Sequence, residues 1–148
     1  MDYKTIHNSI FNYYKNNLNT YISDINNKEK TIDNFIDGDA DILQGGEINF
    51  YFLVNQLNIL ELDNLSNLLE IDVDIVLIFK LKNKNTDSNN VVKNYVSYFF
   101  NFNKQNNDLG NIINYNKLQN VDFYDVDEQS QFNTKIVIFK IDYYTEIN

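Results

Sequence analysis

The chain has 148 residues, with 12 basic against 21 acidic side chains, a net charge of −9, and no Cys, Pro or Trp. Without Cys there is no disulfide framework and no thiolate metal site, which fits a reducing compartment. Every basic residue is Lys and none cluster, so the surface should repel a nucleic-acid backbone, and specific nucleic-acid binding is not expected.

A chain of this length should form one domain and bury about 70% of its unfolded surface. With 11 Tyr and 11 Phe, the core should be rich in aromatics. No apolar run reaches the roughly 20 residues of a membrane span. The opening MDYKTIHNSIF has neither a basic n-region nor an apolar h-region, so no signal peptide is expected. Asn, Lys, Ile, Tyr and Phe share A/T-rich codons. The Asn pairs at 16–17, 26–27, 89–90 and 106–107 therefore read as loops and polar faces.

In chain order, Asp2 to Tyr21 reads as a helix, because Tyr3, Ile6, Ile10, Tyr13, Tyr14, Leu18 and Tyr21 recur at three- and four-residue spacing. Ser23 to Ile36 is polar and mixed, and reads as a loop with room for a helical turn. Asp37 to Asp41 and Gly45-Gly46 are turn-like. Glu47 to Asn55 is a compact apolar run suited to a buried strand. Gln56 to Leu68 is ambiguous, compatible with a short strand and a loop.

Leu69 to Lys82 has the clearest two-residue alternation in the chain and predicts the central strand. Leu69, Ile71, Val73, Ile75, Leu77, Phe79 and Leu81 share one face. The other face carries Glu70, Asp72 and Asp74 against Lys80 and Lys82, with Val76 and Ile78 as an apolar patch between them. A sheet with one solvated face does not need that patch. Val76 and Ile78 are therefore candidate interface residues.

Lys82 to Asn90 is a polar loop, with Asp87 or Ser88 placed to cap a helix over Asn90 to Asn103. Val91, Val92, Tyr95, Val96, Phe99 and Phe102 form its apolar face, which reads as core rather than as a partner-binding surface. Asn103 to Gly110 is loop. Ile112, Ile113, Tyr115 and Leu118 select no state. Val121 to Val126 reads as a strand, Asp127 to Gln131 as a polar turn, and Asn133 to Thr145 as the last strand. The order predicts an α+β domain: a mostly antiparallel sheet of four to five strands with two helices on one face.

Enzyme chemistry finds no support in these residues. Asp37, Asp39 and Asp41 alternate as in a hard-cation loop, but Ile42 and Ile48 stand where the calcium pattern needs Gly and Glu. A solvated turn is the expectation there. Asp122, Asp125, Asp127 and Glu128, like Asp72 and Asp74, read as charged strand ends rather than as a two-metal site. The single His, His7, lies on the first helix with no nucleophile elbow anywhere in the chain. Gly45-Gly46 is followed by Glu47, the wrong charge for a phosphate cradle. No cofactor and no metal are expected.

The run of features from a strong alternating strand (Glu70 to Lys82) through a capped helix (Ser88 to Phe102) and a short apolar segment (Leu109 to Leu118) continues into VDFYDVDE and a terminal strand ending in DYYTE. With the N-terminal helix and INFYFLV upstream, this order resembles the tail terminator, or tail completion, family of long-tailed bacteriophages. The Pro often found before the family's first strand is absent, and Gly46-Glu47 stands in its place. The resemblance implies a structural virion protein of the neck region, assembled in the host cytoplasm. It would form a closed homo-oligomeric ring, a hexamer, that ends the tail tube and joins it to the head connector or neck proteins. Genome DNA would pass through the lumen, which the negative charge would keep from sticking. The polar loops would then dock neighbours, making Asp39, Asp41, Asn106 and Asp108 candidate interface residues beside Val76 and Ile78. The rival reading is a small acidic binding protein, such as an immunity protein or an inhibitor that mimics nucleic acid.

Overall fold

A computed structural model of the chain describes residues 2–38, 45–61, 66–82, 86–126 and 132–147. The elements run α1 (Tyr3–Ile25), β1 (Asn34–Asp37), β2 (Ile48–Glu61), β3 (Asn67–Lys82), α2 (Thr86–Gln105), β4 (Tyr115–Val126) and β5 (Phe132–Ile147). The five strands form one mixed sheet in the order β1-β2-β3-β5-β4, in which only the β1–β2 pair is parallel. The architecture is α+β, as the element order predicts.

Helix α1 begins where the Asp2 carboxylate accepts the Thr5 N–H at 2.8 Å, which holds that carboxyl below its usual range. Its buried stripe is Ile6, Ile10, Tyr14, Leu18 and Ile22, a strict four-residue spacing. Ile22, just past the expected end at Tyr21, continues the stripe, so the helix runs to Ile25 and takes in residues expected in a loop.

Strand β1 also corrects that loop. Its four residues carry too little pattern to announce a strand. They are held by what flanks them. The Asn19 amide donates to the Ile32 carbonyl at 2.9 Å and accepts its N–H at 2.8 Å. Asp33 accepts the N–H groups of Glu47 and Ile48 at 2.7 and 3.1 Å. Gly46 is required here, because a Cβ on it would stand 2.8 Å from the Asp33 Cβ. The Tyr95 hydroxyl donates to the Lys30 carbonyl, and Glu29 accepts from Tyr98 at 2.8 Å and Asn94 at 3.1 Å. The segment between α1 and β2 is thereby tied to both helices.

Strands β2 and β4 are longer than expected, and both contain a bulge. Register slips between Val54 and Gln56 and between Leu118 and Asn120. Each bulge adds one residue, so Val54 and Leu57, like Leu118 and Val121, share a face at a spacing of three. That breaks the two-residue period on which strand recognition depends. The second helix begins at Thr86, so Asp87 and Ser88 lie inside it rather than ahead of it as caps.

The core is the aromatic layer that α1 and α2 lay against the sheet. Tyr14 stacks on Phe99 with ring centres 5.7 Å apart and also meets Phe50 and Tyr143. Phe99 reaches Phe139 at 4.2 Å and Tyr95 reaches Phe79 at 5.3 Å. By cross-strand register, Phe50, Phe52, Phe79, Phe139 and Tyr143 share one side of the sheet, the side of the Leu69-to-Leu81 set. The buried polar chain at its centre is complete. Tyr14 donates to Asn103 Oδ1 at 2.6 Å, which spends its only proton, so Tyr143 donates to Tyr14 across 2.6 Å. Burial raises both phenols.

Candidate assembly interface

Two stretches of the sheet depart from the rule that large apolar residues are covered. The first is the outer half of β2. β1 pairs only with Asn49 to Phe52, and Phe52 is the last β2 ring that α1 rings touch, through His7 at 5.2 Å and Phe11 at 6.0 Å. Beyond it, Gln56 to Glu61 stays paired to β3 and, among the described residues, has no strand on its other edge. Leu57 is 43% exposed, Ile59 66% and Leu60 41%. Register to Ile71 and Leu69 puts Leu57 and Ile59 on the helix side, and register to Leu68 puts Leu60 on the opposite side.

The second stretch is β4, the last strand at the other end of the sheet, paired only with β5. Phe123 is 61% exposed on the helix side, Tyr124 is 52% exposed on the opposite side, and Tyr115 is exposed. Tyr115 stacks on Tyr144 at 4.6 Å. Burial and a hydrogen bond to Glu70 raise the Tyr144 phenol. Phe123 stands at a cleft of about 350 Å³ between β4, β5 and α2, lined among others by Val92, Lys93 and Val137. Lys135 in the same cleft pairs with Asp125 at 3.0 Å.

The sheet side opposite the helix rings carries Glu70, Asp72, Asp74 and Asp142, with Asp72 and Asp142 directly opposed across β3 and β5. Lys140 lies 3.8 Å from Asp74. Desolvation raises the Asp142 carboxyl, against a 2.7 Å hydrogen bond from Gln119 that lowers it, and Asp72 and Glu70 raise it further.

Of the residues singled out from sequence, Val76 is 5% exposed, enclosed by its cross-strand partners Tyr51 and Ile138. Ile78 is half-buried between Asn49 and Ile136. The chain itself covers most of that patch. Asn106 and Asp108 are engaged inside the fold. Asn106 accepts the Tyr13 hydroxyl at 2.7 Å and donates to the Phe102 carbonyl at 2.8 Å. Asp108 accepts the Gly110 N–H at 3.1 Å in a turn where Leu109, Gly110 and Asn111 all have positive φ. Asp39 and Asp41, like Asp127 and Glu128, lie outside the described residues. The exposed Leu57, Ile59, Leu60 and Phe123 escaped notice because Gln56 to Leu68 is ambiguous in sequence and Phe123 falls in an ordinary strand pattern. Only the strand order reveals that they sit at the edges.

His7 is half-buried, with Nδ1 2.9 Å from the Tyr3 hydroxyl and Nε2 2.8 Å from Asp37. It ties α1 to β1. The face of α2 is core, with Val92, Tyr95, Phe99 and Phe102 buried. Among the described residues, no three His, Cys, Asp or Glu converge on a point that would hold a metal. No helix there is long and apolar enough to cross a membrane. No protein-family model matches the chain, and no curated protein sequence matches it.

Proposed function

We propose that the protein is a structural subunit that associates head to tail into a closed ring, in the manner of a phage tail terminator. One observation carries this reading: among the described residues, the outer half of β2, beyond β1, and the whole of β4 at the other end of the sheet have no further strand beside them, and each has large apolar side chains exposed. Such edges invite pairing with another chain unless they are blunted. Two different edges favour a heterologous contact, which closes into a ring when the rotation between copies allows it.

Strand directions agree with this. β2 is antiparallel to β3, β3 to β5 and β5 to β4, so β2 and β4 run in opposite directions. The β4 of one copy beside the β2 of the next continues the antiparallel alternation. The carboxylates of Glu70, Asp72, Asp74 and Asp142 lie on one side of that sheet. Turned inward, they would line a lumen that DNA traverses without adhering. The resemblance supplies the tail-tube and neck partners and the hexameric count.

Size-exclusion chromatography with light scattering, alone and with tail tubes, tests the proposal. The expected result is a discrete closed oligomer, or a monomer that oligomerises on tube ends. A stable monomer under both conditions that binds a toxin or nuclease in equimolar amount would establish the small acidic inhibitor instead.

A further inference from the structure

We infer that the outer half of β2 in one copy adds to the free edge of β4 in a second copy, seating Leu57 and Ile59 against Phe123 at the β4–α2 cleft. This deepens the ring reading and rests on it for the closure of the assembly. Three independent features pair these two surfaces.

The first is side-chain parity. In a continued sheet, residues opposite one another point to the same side. Leu57 and Ile59 have helix-side parity, as does Phe123, while Leu60 and Tyr124 share the opposite side. Joining the edges covers exposed apolar groups on both sides at once, which no one-sided patch achieves.

The second is charge. On the arm, Glu61 shares the helix side through its register with Asn67, whereas Glu70 and Asp72 lie on the opposite side. Among the described residues that line the cleft the charged groups are Lys93, Lys135 and Asp125, and Lys135 and Asp125 are paired with each other. Lys93 is thus the cation at the cleft that Glu61 of the arm can meet, and this pair favours the orientation that matches the apolar residues.

The third is backbone demand. Among the described residues neither edge has a further strand to pair its outward N–H and C=O groups, and strand addition would pair them on both copies together.

The chain has no Cys, so single cysteines report the contact cleanly. Ile59→Cys and Phe123→Cys are made separately, at exposed positions, then mixed and treated with a short bis-maleimide. The expected result is a linked pair in the mixture and none in either variant alone. A charge exchange checks it without cross-linking: Glu61→Lys should weaken association at least tenfold, and Glu61→Lys with Lys93→Glu should restore it. Wild-type oligomers without a 59–123 link, and without rescue, would overturn the arm-in-cleft contact and leave the ring reading standing. A linked pair that closes as a two-copy dimer would uphold the contact and overturn the ring. A wild-type chain that stays monomeric at every concentration and in the presence of tail tubes, unlinked, would overturn both.

Discussion

The aromatic layer around Tyr14 and the outer edges of β2 and β4 are built from the same kinds of residue and meet opposite fates. Phe50, Phe139 and Tyr143 lie in strand rows that Tyr14 of α1 and Phe99 of α2 cover, and each is wholly buried. Leu57, Ile59 and Phe123 lie in equivalent rows of the same sheet, on the same side, and remain open. Residue chemistry does not separate the two groups. Their place at the ends of the sheet does. A β-strand buries its apolar side only as far as another layer extends, so apolar residues beyond that limit stay exposed in the single chain.

The sharpest way to probe this contrast is at the core. Phe139→Ala removes a ring held between two strands and α2, and should cost about 3–5 kcal/mol of unfolding free energy. Denaturant titration followed by circular dichroism measures it. A loss under about 1 kcal/mol would show a layer that collapses readily to fill the space.

A smaller effect is expected from Tyr14→Phe. The ring stays packed, but the Tyr143 hydroxyl loses its acceptor and Asn103 Oδ1 loses its donor. Leaving buried groups unsatisfied costs about 1–3 kcal/mol. Combined with Tyr143→Phe, the penalty should be less than the sum, since the two hydroxyls belong to one chain of bonds.

The smallest change in stability belongs to the edge. Ile59→Ser should alter the unfolding free energy of the monomer by no more than about 0.5 kcal/mol, as for other exposed positions. Its effect should appear in association instead, read by sedimentation across a concentration series. If the same substitution unfolds the chain, the arm is core and the contrast between the two regions fails.

Much of the fold was legible before the structure. The four-residue spacing of Ile6, Ile10, Tyr14 and Leu18 announced α1, and the alternation from Leu69 to Lys82 announced β3. The α+β class followed from the order of elements. The candidate assembly surface was legible only in part. Val76 and Ile78 stood out as an unneeded apolar patch, yet Tyr51 and Ile138 enclose Val76 within the chain. Asn106, a candidate interface residue in a polar loop, also accepts the Tyr13 hydroxyl, a contact that sequence alone does not show.

What the sequence determined by itself is local: which residues repeat with a helical or strand period, where charge interrupts them, and that no thiol, and only one imidazole, is present. What the tertiary structure decided is which strands lie at the edges, where β1 docks, and how far the two helices reach over the sheet. Those depend on contacts between residues far apart in the chain, such as Asp33 with Glu47 and Ile48, or Tyr14 with Tyr143. The bulges beside Asn55 and Gln119 hide strand continuity from any fixed period, because one inserted residue reverses the side on which every later side chain falls.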